Sequence, residues 1–180
     1  MRASLNAPPI RPAALLASLC VGRLTLAVPL RDLQSLEPVL DVDMQNRGGA
    51  SAGTIDLRTG RCPVYCIDEM LAVLTDPRPE HRICAILEGG DAGPFGLICA
   101  AVEALEGDGL ASVGVPPCMR TSGSPLEGLT LHGRRVLCRT TGAALARFMT
   151  AGAHGPAGAE GGELTHILVE LDPGVDEDCA

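Results

Sequence analysis

Glycine and proline recur so often that no long regular element has room to form. They make up 22 and 14 of the 180 residues. Both interrupt helices and strands, so the chain must fold as short elements joined by many turns. Between the interruptions lie brief apolar runs such as Ile83-Cys84-Ala85-Ile86-Leu87 and Leu97-Ile98-Cys99-Ala100. Short apolar runs rich in β-branched residues and bounded by turn residues read as strands. They fall at 15–20, 24–28, 53–57, 61–66, 82–87, 95–99, 101–105, 128–131 and 134–139. Gly22-Arg23 turns the first two into a hairpin. The fold class is therefore mainly β, in compact barrel-like lobes.

Helical signals are few. Leu30–Leu36 follows Pro29 and fits a short turn of helix. Ile67–Leu74 carries Asp68 and Glu69 in what would be its first turn and has Pro77 just beyond its end, which suits a capped helix. Gly142–Met149 places Leu145 and Phe148 at helical spacing. Residues 1–12 read as a Pro-rich disordered leader, 13–149 as the folded domain and 150–163 as a Gly/Ala-rich flexible linker. Leu164–Leu171 alternates imperfectly and fits one more strand, ahead of the acidic tail Asp176-Glu177-Asp178.

Composition then removes whole classes of function. The hydrophobic fraction is 46%, yet aromatics are 2%, namely Tyr65, Phe95 and Phe148. Leu, Val, Ile and Ala must build the core. All 14 basic residues are Arg, so a phosphate-binding loop and a Schiff-base lysine, which both need Lys, are excluded. A net charge of −8 with few aromatics argues against nucleic acid, which needs a basic face and stacking platforms. The apolar run Ala13–Val21 is too short to cross a membrane, and Gly22, Arg23 and Pro29 interrupt its extension. It lacks the Ala-x-Ala site of a signal peptide. Cytoplasm is the expected location. The eight cysteines (20, 62, 66, 84, 99, 118, 138 and 179) then read as reduced, buried, small apolar residues.

Cys62 and Cys66 would share one face of a strand but lie about 13 Å apart at about 3.3 Å per residue. That spacing cannot hold one metal, and Pro63 is awkward in the helix that would bring them together. Asp41, Asp43 and Gln45 imitate the start of a calcium loop, but Asn46 and Ala52 stand where Gly and Glu are required. There is no Gly-x-Ser-x-Gly elbow. The chain is expected to use no metal and no cofactor, and to bind rather than catalyse.

The order of segments resembles the CheW-like domain of bacterial chemosensory arrays. The family pattern is Gly, two variable residues, Asn-Leu-Arg-Gly, then Pro-Val before an aliphatic residue and Asp. Gly53, Leu57, Arg58, Pro63 and Val64 fall on it in register. Gly22–Leu36, Gly96–Val102 and the set Leu126-Glu127-Gly128, Gly133, Val136-Leu137 and Leu145 follow in the family's order. Asp56 replaces the Asn, Thr59 the Gly, Cys66 the first Asp and Ala100 a second, and Ser35 stands where Glu is frequent. The resemblance implies two five-stranded barrel-like lobes, a short C-terminal helix and no catalysis. It implies two partners: the regulatory domain of a CheA-type histidine kinase and the hairpin tip of methyl-accepting chemoreceptors. It places Leu33, Ser35, Asp56 and Arg58 near receptor-contacting surface. Arg58 beside turn glycines is suited to bidentate contact with a carboxylate, or else to a pair with Asp56. Two other readings remain: a small enzyme with Cys62 or Cys66 as nucleophile, and a β-rich assembly protein without signalling partners.

Overall fold

A computed structural model describes residues 15–105, 110–115 and 123–152. The expected leader, the extra strand at 164–171 and the acidic tail lie outside them. Two β-sheets and one helix make up the fold. The first sheet contains β1 (Leu16–Val21), β2 (Leu24–Pro29), β9 (Ala101–Leu105), β10 (Ala111–Gly114), β11 (Gly128–His132) and β12 (Arg135–Arg139), in the order β10-β11-β12-β2-β1-β9. The second contains β3 (Leu33–Pro38), β4 (Gly53–Leu57), β5 (Gly60–Ile67), β7 (Ile83–Glu88) and β8 (Pro94–Cys99), ordered β3-β7-β8-β5-β4, with the two-residue β6 (Val73–Leu74) beside β5. Each sheet is antiparallel except for one parallel pair, β12 with β2 and β5 with β8. Six strands thus build each lobe where five were expected. Helix α1 (Gly142–Gly152) follows β12.

The apolar runs are explained by burial on both faces, which alternation along a strand requires to be apolar throughout. In β7, Ala85 and Leu87 join the seam between the sheets, whereas Cys84 and Ile86 face the interior of the second lobe. Strand β5 does the same, with Tyr65 and Ile67 in the seam and Val64 and Cys66 inside the lobe. From the first sheet, Ala17, Leu19, Val21, Leu26 and Val28 complete the seam, and Leu145, Ala146 and Met149 of α1 close it. Tyr65 and Phe95 meet there edge to face, 6.2 Å apart. The Thr141 hydroxyl accepts a hydrogen bond from the Ala144 amide at 3.2 Å, which caps the helix start.

One helical expectation was incorrect and another held only in part. Ile67–Leu74 is no helix: β5 runs to Ile67, and Asp68 then takes over the backbone. Its carboxylate accepts from the amides of Met70 and Ala72, each at 2.8 Å. This local bonding competes with helix formation, and Leu71 is left with a positive φ of 66°. Leu30–Leu36 holds only a 3-10 turn at Leu30–Asp32 before β3 begins. Strand β3 went unread because its residues are alternately exposed and because its pairing with β7 shifts between Leu33 and Ser35.

Candidate functional site

The second sheet curls until its two free edges face each other. Glu37 of β3 and Thr54–Leu57 of β4 line one cleft of about 430 Å³, with Asp41 and Asp43 from the connecting segment and Arg58 at its end. A bridge between Asp43 and Thr54 ties the connecting segment to β4. The cleft therefore carries four carboxylates and one guanidinium. No cluster among the described residues is arranged to hold a metal ion.

Arg58 owes its position to the β4–β5 hairpin. Leu57 pairs with Gly60, which leaves Arg58 and Thr59 as a two-residue loop, and Gly60 takes the positive φ of 127° that this turn requires. Arg58 is exposed and makes no ion pair among the described residues. The same register sets Asp56 directly opposite Arg61. Arg61 donates to both Asp56 carboxylate oxygens, at 2.8 and 3.3 Å. These hydrogen bonds, then the Arg61 charge, hold the Asp56 carboxyl below its ordinary range. The alternative pairing of Asp56 with Arg58 is thereby corrected: Asp56 is occupied and Arg58 is available.

Ser35 enters the site indirectly. Its hydroxyl donates to Glu37 at 2.8 Å, and Glu37 lines the cleft. Leu33 lies elsewhere, packed against the seam between the sheets. Two of the four candidate residues, Asp56 and Arg58, line the cleft; Ser35 touches it only through Glu37, and Leu33 packs against the seam. Sequence reasoning missed Glu37 altogether and treated Asp41 and Asp43 as an ordinary solvated loop. Only the curl of the sheet brings them opposite Arg58.

The cysteine alternative meets a different environment. Cys62 and Cys66 do share a face, inside the second lobe, and both are buried. Burial pushes the Cys66 thiol up to about 11, and those of Cys84 and Cys99 up to about 12. His81 Nδ1 lies 3.8 Å from Cys66 Sγ, a partner that sequence spacing did not reveal. Burial also lowers the His81 pKa, so both shifts favour neutral thiol and neutral imidazole. A nucleophilic thiolate needs the opposite. Cys62, Cys66, Cys84 and Cys99 are expected to stay unmodified by a thiol-specific disulfide reagent at pH 7 in the native protein and to react on unfolding. Their folded pKa is the higher one, so the stability linked to it is intact below the ordinary thiol value of 9.0. It is lost as pH rises from there toward about 12. Denaturant titrations at pH 7 and pH 10 would show that decline.

No family model matches the sequence, and no curated protein matches it. Among solved structures, the chain is similar to the scaffolding protein TtCheW from Thermoanaerobacter tengcongensis. The TM-score is 0.55 at 16% identity, over 71% of this chain and 88% of that one. The chain has a CheW-like fold. Within this CheW-like frame, the segment Gly53–Val64 that first suggested it forms the β4–β5 hairpin, with Arg58 at its turn. No helix among the described residues is long and apolar enough to cross a membrane.

Proposed function

We propose that the chain is a non-catalytic adaptor that couples a CheA-type histidine kinase to chemoreceptors, or serves a related motility pathway. The reading rests on the CheW-like fold and on one observation, the exposed guanidinium of Arg58, without an ion pair among the described residues, on the two-residue β4–β5 turn. A planar cation held this way is ready to take a carboxylate or backbone carbonyls from a partner. Asp56, locked to Arg61, shapes the hairpin rather than competing for Arg58. Glu37, Asp41 and Asp43 favour a partner segment with cationic groups beside its acceptor. Leu40, 96% exposed, offers an apolar contact next to Asp41. The kinase regulatory domain and the receptor hairpin then dock on one stiff β scaffold, and signal passes as a change in their relative geometry. A cytoplasmic location follows from this role.

Calorimetric titration tests the reading. The wild-type chain is expected to bind the kinase regulatory domain at one-to-one stoichiometry and to bind the receptor hairpin as well. Arg58→Ala is expected to weaken the receptor by roughly tenfold or more, the scale of one charge-assisted contact, with kinase affinity unchanged. Equal receptor affinity in wild type and Arg58→Ala would remove Arg58 from the interface. Failure of the folded chain to bind either partner would reject the adaptor function.

A further inference from the structure

The β10–β11–β12 corner leaves an aliphatic ladder in solvent. Leu131 of β11 stands directly opposite Val136 of β12, and the two are 46% and 57% exposed. Val113 of β10 is 58% exposed and stands opposite Leu129. Leu129 and Leu131 share a face, because alternate residues of a strand do. The opposite face is buried through Thr130 and Leu137. Single exposed aliphatic residues are ordinary, but three on neighbouring strands form a patch of the kind that is normally covered. Strand β10 is also the last strand of its sheet among the described residues.

We propose that residues 164–171 of this same chain cover the ladder, with Leu164, Ile167, Leu168 and Leu171 as the buried contacts. These four recur at i, i+3, i+4 and i+7, one face of two helical turns. Thr165, His166 and Glu170 fall on the other face, and Val169 is the one apolar residue off the stripe. Eight helical residues extend about 12 Å, and three adjacent strands span about 10 Å, so one such element lying across the strands reaches all three ladder residues. The extended alternative fits less well. A strand added to β10 would flank Val113 and leave Leu131 and Val136, one and two strands further in, uncovered.

Connection and charge favour this occupant over a second copy of the chain. Arg147, Phe148 and Ala151 of α1 line a surface pocket with Gly123 and Ser124, so the chain leaves α1 beside the segment that leads into β11. The twelve Cα-to-Cα steps from Gly152 to Leu164 can span up to about 40 Å, ample for a domain with a radius of gyration near 14 Å. Tethering makes the contact intramolecular. The β11–β12 turn carries the exposed Arg134, and the exposed Arg135 opens β12 with a loose 3.7 Å ion pair to Glu103. Because β2 and β12 run parallel with Cys138 beside Leu26, Arg23 of the neighbouring hairpin lies level with Arg135. Asp172, Asp176, Glu177 and Asp178, which follow the covering segment, match that basic corner. A second copy instead brings a net −8 against −8, which opposes association.

Amide hydrogen exchange on the full chain, read by NMR, tests the proposal. In the wild type, amides of residues 164–171 are expected to exchange at least tenfold slower than random coil, independent of protein concentration. Leu131→Asp is expected to return them to random-coil rates without altering exchange in β7 and β8. Ile167→Asp/Leu168→Asp, placed outside the two-sheet core, is expected to speed exchange across residues 128–139. Random-coil rates for 164–171 in the wild type would overturn the proposal. So would protection that grows with concentration alongside a dimer in sedimentation, which would assign the ladder to a second copy.

Discussion

Gly96→Ala is expected to lower the melting temperature by roughly 10 °C. Gly96 lies in β8 between β5 and β7, opposite Val64 and Ile86. A Cβ there would sit 2.6 Å from Cys84 Sγ and 2.9 Å from a Val64 methyl, well inside contact distance. Both neighbours are completely buried, so neither can swing into solvent. Overpacking of this kind costs about 1–3 kcal/mol, and two simultaneous clashes favour the upper end. The Cys84 clash identifies the mechanism. Cys84→Ala removes the sulfur, so Gly96→Ala/Cys84→Ala is expected to be more stable than the sum of the two single losses. Simple additivity in thermal unfolding would place the strain elsewhere.

Leu145→Ala is expected to cost about 3 kcal/mol by urea unfolding, within the range for emptying a closed core site. Leu145 is completely buried where α1 closes the seam between the two sheets. The start of the helix is held closely in place. Thr141 caps it, the Gly142 amide donates to Asp32 at 3.0 Å, and a Cβ at Gly142 would strike the Glu88 carbonyl. This anchoring opposes a shift of the helix into the space left by Leu145. Leu40→Ala, at an almost fully exposed site, provides the contrast and is expected to change stability by less than about 0.5 kcal/mol. Comparable losses from both substitutions would contradict the assignment of the seam as the core.

Much of the fold was legible because the central strands are buried on both faces. Continuous apolar runs such as Ile83–Leu87 and Leu97–Cys99 admit few other structures. The errors came where side chains bond to the backbone or where an edge strand is half solvated. Asp68 offers the same acid to a turn as to a helix start, and only the path of the chain decides which amides it meets. Strand β3 reads as nothing definite because it is a bulged edge with alternate residues in solvent. At the site, Arg58 was readable from its turn glycine. A two-residue loop also dictates that Asp56 faces Arg61, a consequence of register that the sequence pattern already contained. Glu37, Asp41 and Asp43 were not readable as site residues, since the closure of a curled sheet is a long-range property. The same limit hid His81 beside Cys66.

Co-sedimentation of both partners with the chain tests the proposed coupling. Receptor hairpin assembled on beads or vesicles would be mixed with the kinase regulatory domain, with and without the full-length chain. Kinase domain is expected to sediment with receptor only when the chain is present, and Arg58→Ala is expected to release chain and kinase together. Kinase that stays in the supernatant whether or not the chain is added would contradict the coupling.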